Sequence, residues 1–175
     1  MVFSALILAV GLAWEAMAPA STPVGRPGTL SAARATSSSP GAAESWAQSD
    51  VVQPAQLAKE LAGLQSSRPL VVCVGFKFLY DSAHIPGSVL LGPAREATGL
   101  NSLESAAQSW PRHRDIVIYC GCCPFTECPN VHPAFAALKR MGFTRLRVLN
   151  IPQNFGQDWV QKGLPVEKSA SPKGK

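Results

Sequence analysis

Charged residues are scarce in this sequence, and no run of like charge occurs. Asp, Glu, Lys and Arg make up 15% of the 175 residues, and the formal net charge is +5. The basic residues between Arg112 and Arg147 are interleaved with apolar residues rather than clustered. This pattern lacks the basic stripe of a nucleic-acid-binding surface, so we expect no nucleic-acid partner. A mildly basic surface still favours the approach of small anionic substrates.

Internal repeats are absent, and so is an apolar run long enough to span a bilayer comfortably. The run over residues 2–14 is short of the roughly 20 apolar residues that a spanning helix needs. Ala16-Met17-Ala18 follows it as a small-x-small cleavage pattern. We therefore expect a signal peptide over residues 1–20 and a periplasmic or secreted protein. Because no Lys or Arg precedes the apolar run, the alternative is an uncleaved N-terminal segment that anchors the protein in the membrane.

The sequence predicts one folded domain between two segments of low complexity. Residues 21–49 are rich in Ser, Pro, Ala, Thr and Gly, and residues 169–175 are similar. Such segments bury too little apolar surface to offset the entropy of ordering, which predicts a disordered linker and a disordered tail. Apolar residues make up 46% of the chain, which suits one packed domain over residues 50–168.

Within that domain, short apolar runs alternate with segments of helical periodicity. The runs lie at residues 70–74, 88–91, 115–119 and 145–149. Helical spacing is found at residues 57–64, 103–110 and 134–141, and a short final helix is predicted around Trp159 and Val160. Alternating strands and helices predict an α/β fold, with a parallel sheet covered by helices on both faces. Ligands bind beyond the carboxyl ends of the strands in such sheets.

Four of the five cysteines lie within nine residues, directly after the clearest predicted strand. They are Cys120, Cys122, Cys123 and Cys128, and the loop leads into a predicted helix. The amide groups and dipole at a helix start stabilise anions, so a thiolate there would have a lowered pKa. We therefore expect a nucleophilic or sulfur-carrying cysteine in this loop.

Three other interpretations of the cysteines remain open from spacing alone. Disulfides are one, with Cys122–Cys128 or Cys123–Cys128 as candidate pairs, although five cysteines cannot all pair within one chain. A metal site formed by Cys120, Cys122, Cys123 and Cys128, with His132 nearby, is another. The third is a redox motif of the thioredoxin type, in which Cys120 and Cys123 have the right interval but enclose a further cysteine.

Three stretches in the expected order resemble the rhodanese-like sulfurtransferases. His84-Ile85-Pro86-Gly87-Ser88 resembles the family's His-Ile-Pro-Gly-Ala turn. Residues 116–120 resemble the strand that delivers the catalytic cysteine to its loop. Residues 142–149, followed by residues 158–166, resemble the closing strand and the family's Trp…Gly-x-Pro-Val ending. The resemblance covers roughly residues 51–167 and implies a rhodanese-like fold with a central parallel sheet of about five strands.

The resemblance also implies a reaction and the residues that carry it. Cys120 would take the outer sulfur of a small anionic donor such as thiosulfate, hold it as a persulfide, and pass it to cyanide or a thiol. No metal or dissociable cofactor is implied. The expected substrate-binding loop comprises Gly121, Cys122, Cys123, Pro124, Phe125, Thr126, Glu127, Cys128 and His132. A thiol-rich metal-binding or redox module, or an inactive rhodanese-like binding domain, is the alternative function.

The sequence departs from the family pattern at two places near Cys120. No Arg or Lys lies between Cys120 and Lys139, whereas family loops usually run Cys-x-x-Gly-x-Arg. An anionic donor would then depend on loop amides, on His132, or on a distant basic residue such as Arg95. Cys73 stands where the family commonly has Asp. We treat Cys73 as a candidate resolving thiol, beside the simpler interpretation of a small buried core residue.

Overall fold

A computed structural model of the chain describes residues 46–169, which form five strands and four helices. The strands are β1 (Val51–Val52), β2 (Leu70–Cys73), β3 (Val89–Leu90), β4 (Ile116–Tyr119) and β5 (Leu146–Leu149). The helices are α1 (Pro54–Ala62), α2 (Lys77–Ser82), α3 (Ala97–Ala107) and α4 (Val131–Arg140). Short 3-10 turns occur at Gln48–Asp50, Gln65–Ser67 and Phe125–Glu127, and a π-helical turn spans Gly156–Val160.

All strand pairs are parallel, and the strand order is β1-β5-β4-β2-β3. The predicted α/β fold with a parallel sheet of about five strands is therefore confirmed. β4 lies in the middle of the sheet, between β5 and β2, and all four of its residues are buried. A strand buried on both faces needs an uninterrupted apolar sequence, which Ile116-Val117-Ile118-Tyr119 supplies.

Successive residues of β4 pack against different helices. Ile116 and Ile118 face the core built with α3 and α4, whereas Val117 and Tyr119 face the core that contains Leu57 of α1. This alternation follows from the two-residue period of a strand. Cys120 continues it, and its side chain joins the core on the α3 and α4 side. The sheet therefore determines on which side the thiol of Cys120 lies.

Several element boundaries differ from the predicted ones. β1 is only two residues long and α2 only six, so neither carries enough periodicity to be recognised. α3 begins at Ala97, six residues before the apolar positions that predicted it, and ends at Ala107 rather than beside Pro111. α4 ends at Arg140, and Gly142, two residues later, has a φ of 87°, the left-handed conformation that follows many helix ends.

The predicted terminal segments lie mostly outside the described residues. The structure does not describe the predicted signal peptide over residues 1–20. It describes only residues 46–49 of the predicted linker over residues 21–49, and only Ser169 of the predicted tail. Within residues 46–169, no helix combines the length and hydropathy that crossing a membrane requires.

Trp46 packs against the domain, four residues before the predicted boundary at residue 50. Its ring lies 4.8 Å from that of Phe135, 5.1 Å from that of His132 and 6.0 Å from that of Phe125. Composition alone misplaced this residue in the linker because its neighbours are small and polar. The folded part of the chain therefore includes Trp46 and the turn at Gln48–Asp50.

We expect Trp46→Ala to lower the free energy of unfolding by about 2 kcal/mol, since it removes a half-buried aromatic ring from the core. Urea denaturation followed by circular dichroism measures the change. Leu64→Ala is the matched control, because Leu64 is 79% exposed, and it should change stability by less than about 0.5 kcal/mol. Equal effects of the two substitutions would contradict the placement of Trp46 in the folded domain.

Candidate functional site

Cys120 follows directly after β4, at the carboxyl edge of the parallel sheet. Gly121 turns the chain there with a φ of 87°, and its carbonyl accepts a hydrogen bond from the Phe155 amide at 3.0 Å. A side chain on Gly121 would place its Cβ 2.8 Å from the Cβ of Phe155. The turn after β4 therefore needs glycine for its conformation and for its close packing.

The chain takes a long path from Cys120 to the helix start. It passes Cys122 and Cys123, makes the 3-10 turn at Phe125–Glu127, and reaches α4 only at Val131. Cys128 is the cysteine that lies near the first turn of α4. The length of this loop brings a second cysteine, rather than Cys120, to the amino end of the helix.

Four thiols cluster where the strand, the loop and the helix meet. The Sγ atoms of Cys120 and Cys122 lie 3.2 Å apart, and those of Cys122 and Cys123 are also 3.2 Å apart. The Sγ atoms of Cys120, Cys122 and Cys128 all lie within 4.8 Å of one another. All five cysteines of the chain are free thiols in this structure. Neither predicted disulfide is formed, although the cluster is close enough for exchange chemistry.

The negative charge of this cluster is favoured on Cys128. Its sulfur lies within 4.8 Å of the Cys120 sulfur, and the Cys120 thiol and the backbone amides of Asn130 and Val131 stabilise its charge. These contacts lower the pKa of Cys128 to about 5, although burial opposes the shift. Hydrogen bonds to the charged form of a group lower the pKa of an acid in this way.

The lowered pKa expected for Cys120 is wrong for the free thiol. Its hydrogen bond to Cys128 raises the pKa of Cys120, and burial raises it further. Because the two sulfurs interact strongly, they titrate as a pair, in which the thiolate is favoured on Cys128 rather than on Cys120. The start of α4 lowers the pKa of a cysteine, as predicted. Because ten loop residues separate Cys120 from α4, that cysteine is Cys128.

Asn130 is a site residue that the sequence analysis missed. Its side chain is fully buried, its Nδ2 donates to the Cys120 sulfur at 3.3 Å, and its Oδ1 accepts from the Arg95 amide at 3.0 Å. Asn before a helix ordinarily indicates a capping residue, but this side chain makes no capping hydrogen bond. It therefore ties the cysteine loop to the chain around Arg95.

Gly75 is a second residue that the sequence analysis missed. A Cβ on Gly75 would lie 2.7 Å from the Cys120 carbonyl oxygen and 2.9 Å from the Cys120 sulfur. Both distances are shorter than an ordinary van der Waals contact. The backbone at Gly75 therefore forms one wall against the reactive sulfur, and only glycine leaves room for it.

Cys73 lies close to Cys120 but on the other face of the sheet. It is paired in register with Tyr119, and its side chain packs in the core on the α1 side. Its thiol contacts the carbonyl oxygen of Cys120 at 4.0 Å, and burial raises the pKa of Cys73 to about 11. Cys73 lines the same cavity as Cys120, but its sulfur is not among the three mutually close sulfurs. This placement favours the core interpretation over that of a resolving thiol.

A cavity of about 570 Å³ opens beside Cys120. Cys120, Gly121 and Cys122 form one side, and Phe76, Tyr119 and Phe155 are among the aromatic residues of the others. Among the described residues that line this cavity there is no Lys, Arg, His, Asp or Glu. Apolar walls with a few polar groups are typical of a site for a small molecule.

Arg95 lies beside this cavity rather than in its lining. Its guanidinium carbon is 5.0 Å from the centre of the Phe76 ring, and Phe76 lines the cavity. The Arg95 amide holds Asn130, which in turn contacts Cys120. The basic residue suggested for an anionic donor is therefore linked to the site by two separate contacts.

The remaining residues of the predicted substrate loop are placed away from the cavity lining, which includes only Gly121 and Cys122 of that segment. The imidazole of His132 bonds the Thr126 carbonyl at 2.8 Å and packs against Trp46, as does Phe125. Residues absent from the cavity lining are Cys123, Pro124, Phe125, Thr126, Glu127, Cys128 and His132. The loop residues after Cys122 therefore pack against the rest of the domain and do not line the cavity.

Comparison with known proteins finds similarity only at the level of structure. No protein-family profile and no curated protein sequence matches the chain. The BH2092 protein from Bacillus halodurans is similar at a TM-score of 0.54 and 21% identity, over 73% of this chain and 82% of that one. The Alr3790 protein from Anabaena sp. is similar at a TM-score of 0.51 and 19% identity, over 69% and 94% of the two chains.

A solution structure of the same Anabaena protein is described as its rhodanese-like domain. The strand order, the parallel sheet and this structural similarity agree with the three sequence stretches that suggested the same fold. The described part of this chain therefore has the fold of the rhodanese-like domains.

Proposed function

We propose that this domain is a sulfurtransferase that carries a sulfane sulfur as a persulfide on Cys120. One observation supports the proposal most directly: Cys120 lines a small-molecule cavity, and its sulfur lies within 4.8 Å of the Cys128 sulfur. A nucleophile beside a base is the arrangement that covalent catalysis requires. The proposal includes export to the periplasm or the cell exterior, which rests on the sequence pattern of residues 1–20.

The first half-reaction begins with proton transfer from Cys120 to the Cys128 thiolate. The Cys120 sulfur then attacks the outer sulfur of the donor, which for thiosulfate breaks the sulfur–sulfur bond. Sulfite leaves with the bonding electron pair, and Cys120 becomes a persulfide. Because a thiolate is a far better nucleophile than a thiol, this step requires the negative charge of the pair to move from Cys128 to Cys120, against the resting preference of the two pKa values.

The second half-reaction returns the site to its starting state. Cyanide or an acceptor thiolate attacks the outer sulfur of the persulfide, and the Cys120 thiolate leaves. The proton held on Cys128 returns to Cys120, which restores the pair described above. Asn130 Nδ2 and the Cys122 amide donate to the Cys120 sulfur, so both stabilise the charge that develops there.

Recognition of an anionic donor is assigned to Arg95. The cavity lining carries no charged side chain of its own, and Arg95 is joined to it through Phe76 and Asn130. The Arg95 side chain is about half exposed, so it can reorient towards a bound anion. In this proposal Arg95 replaces the arginine that family loops usually carry within the loop itself.

Incubation of the reduced full chain with thiosulfate is expected to add the mass of one sulfur, because Cys120 retains the transferred atom. Intact-mass spectrometry under native conditions measures the gain. Cys120→Ser should abolish it, whereas Cys73→Ala, which changes a residue of the same cavity but outside the group of three close sulfurs, should retain it. An unmodified mass in the fully reduced wild-type protein would contradict the proposal and favour an inactive binding domain.

The rate of persulfide formation should fall as the pH is lowered through about 5, because Cys128 then becomes protonated and can no longer accept the Cys120 proton. Above that pH the thiolate is present and the rate is retained. Single-turnover mass measurements across a pH series test this. Cys128→Ser should be slow at every pH and lack this acidic limb. An acidic limb shared by wild type and variant would rule out the base role.

Arg95→Gln is expected to raise the KM for thiosulfate about threefold while kcat stays nearly constant, as befits a half-exposed charge that binds the donor. Steady-state kinetics with thiosulfate and cyanide give both parameters. Lys59→Gln makes the same charge change on α1, outside the cavity lining, and should leave KM unaltered. A comparable rise in both variants would assign the effect to overall charge instead.

A further inference from the structure

We propose that Cys120, Cys122 and Cys128 also form a binding site for one copper(I) ion. The three sulfurs lie within 4.8 Å of one another, although they come from a strand end, a loop and the approach to a helix. Thiolates are the soft ligands that copper(I) selects. The proposal concerns the resting protein and does not depend on sulfur transfer.

The spacing of the three sulfurs suits a metal at their centre. A metal–sulfur distance of about 2.3 Å places the corners of a trigonal site about 4 Å apart. Cys120 and Cys122 are now 3.2 Å apart, so their sulfurs must separate by about 1 Å on binding. Cys122 lies in the loop and is half-buried, which leaves it free to make this adjustment.

The number and type of ligands favour copper(I) over zinc. Among the described residues, no His nitrogen or carboxylate oxygen joins the group of three sulfurs. Structural zinc sites almost always have four ligands in tetrahedral geometry, whereas three thiolates satisfy copper(I). Calcium and magnesium require oxygen ligands, which the group does not offer.

The surroundings compensate the charge of a thiolate site. Asn130 Nδ2 and the Cys122 amide donate to Cys120, while the Asn130 and Val131 amides donate to Cys128. Such second-shell donors orient ligands and stabilise their charge. Binding would release the thiol protons to solvent and leave the oxidation state of copper and sulfur unchanged.

Cys123 distinguishes a site with three sulfur ligands from a site with four. Its sulfur lies 3.2 Å from that of Cys122 but does not belong to the mutually close group. A trigonal site therefore uses Cys122 and leaves Cys123 unbound. A tetrahedral site would need Cys123 as the fourth ligand, so replacing this residue separates the two coordination geometries.

Anaerobic titration of the reduced full chain with copper(I), against a coloured chelator as competitor, tests the proposal. We expect one copper(I) per chain, and X-ray absorption should show about three sulfurs at about 2.3 Å. Cys122→Ser and Cys128→Ser should each lose the one-to-one stoichiometry. Cys123→Ser and Cys73→Ala should keep it. Circular dichroism of each variant establishes that loss of copper is not loss of fold.

Two outcomes would overturn the assignment. One is failure of the folded wild-type protein to compete for copper(I) at all. The other is stoichiometric zinc binding that outcompetes copper and disappears in Cys123→Ser, which indicates a four-thiolate zinc site. The titration contains no sulfur donor, so failure here leaves the persulfide measurement unaffected, and failure of sulfur uptake leaves the copper result standing.

Discussion

The proximity of two sulfurs links the end of β4 to the start of α4, because those of Cys120 and Cys128 lie within 4.8 Å of each other. The negative charge is favoured on Cys128, whose sulfur is stabilised by the first amides of the helix. If only one cysteine lay at the helix start, the same sulfur would carry the charge and act as the nucleophile. Here the favoured anion, Cys128, and the residue that lines the cavity, Cys120, are different groups, and their interaction lowers the pKa of the first and raises that of the second. The reactivity of Cys120 therefore depends on the protonation of Cys128.

The central sheet was predictable because its signals are strong and local. Ile116-Val117-Ile118-Tyr119 is β-branched and aromatic throughout, and the alternation of runs with helical spacing implies parallel strands. The position of Cys120 at the carboxyl edge followed from that pattern. The sequence did not predict β1, which has two residues, or α2, which has six, because the conformation of elements this short depends on their neighbours more than on their own sequence.

The details of the site were less accessible to sequence reasoning. The pKa of Cys120 depends on which of four thiols reaches the helix amides, and that depends on the path of a ten-residue loop. Asn130 offers a familiar signal for helix capping, yet its side chain is recruited by the sulfur and by Arg95. Gly75 is 45 residues from Cys120 in sequence, and only the sheet brings their backbones together.

The packing of Trp46 has a consequence for how this domain is attached to anything that precedes it. Its ring lies against Phe125 and His132, on the outer side of the cysteine loop. The polypeptide therefore enters the domain alongside its reactive segment. An affinity tag, a tether or a fused protein placed just before this tryptophan would therefore begin beside Phe125 and His132, which do not line the cavity.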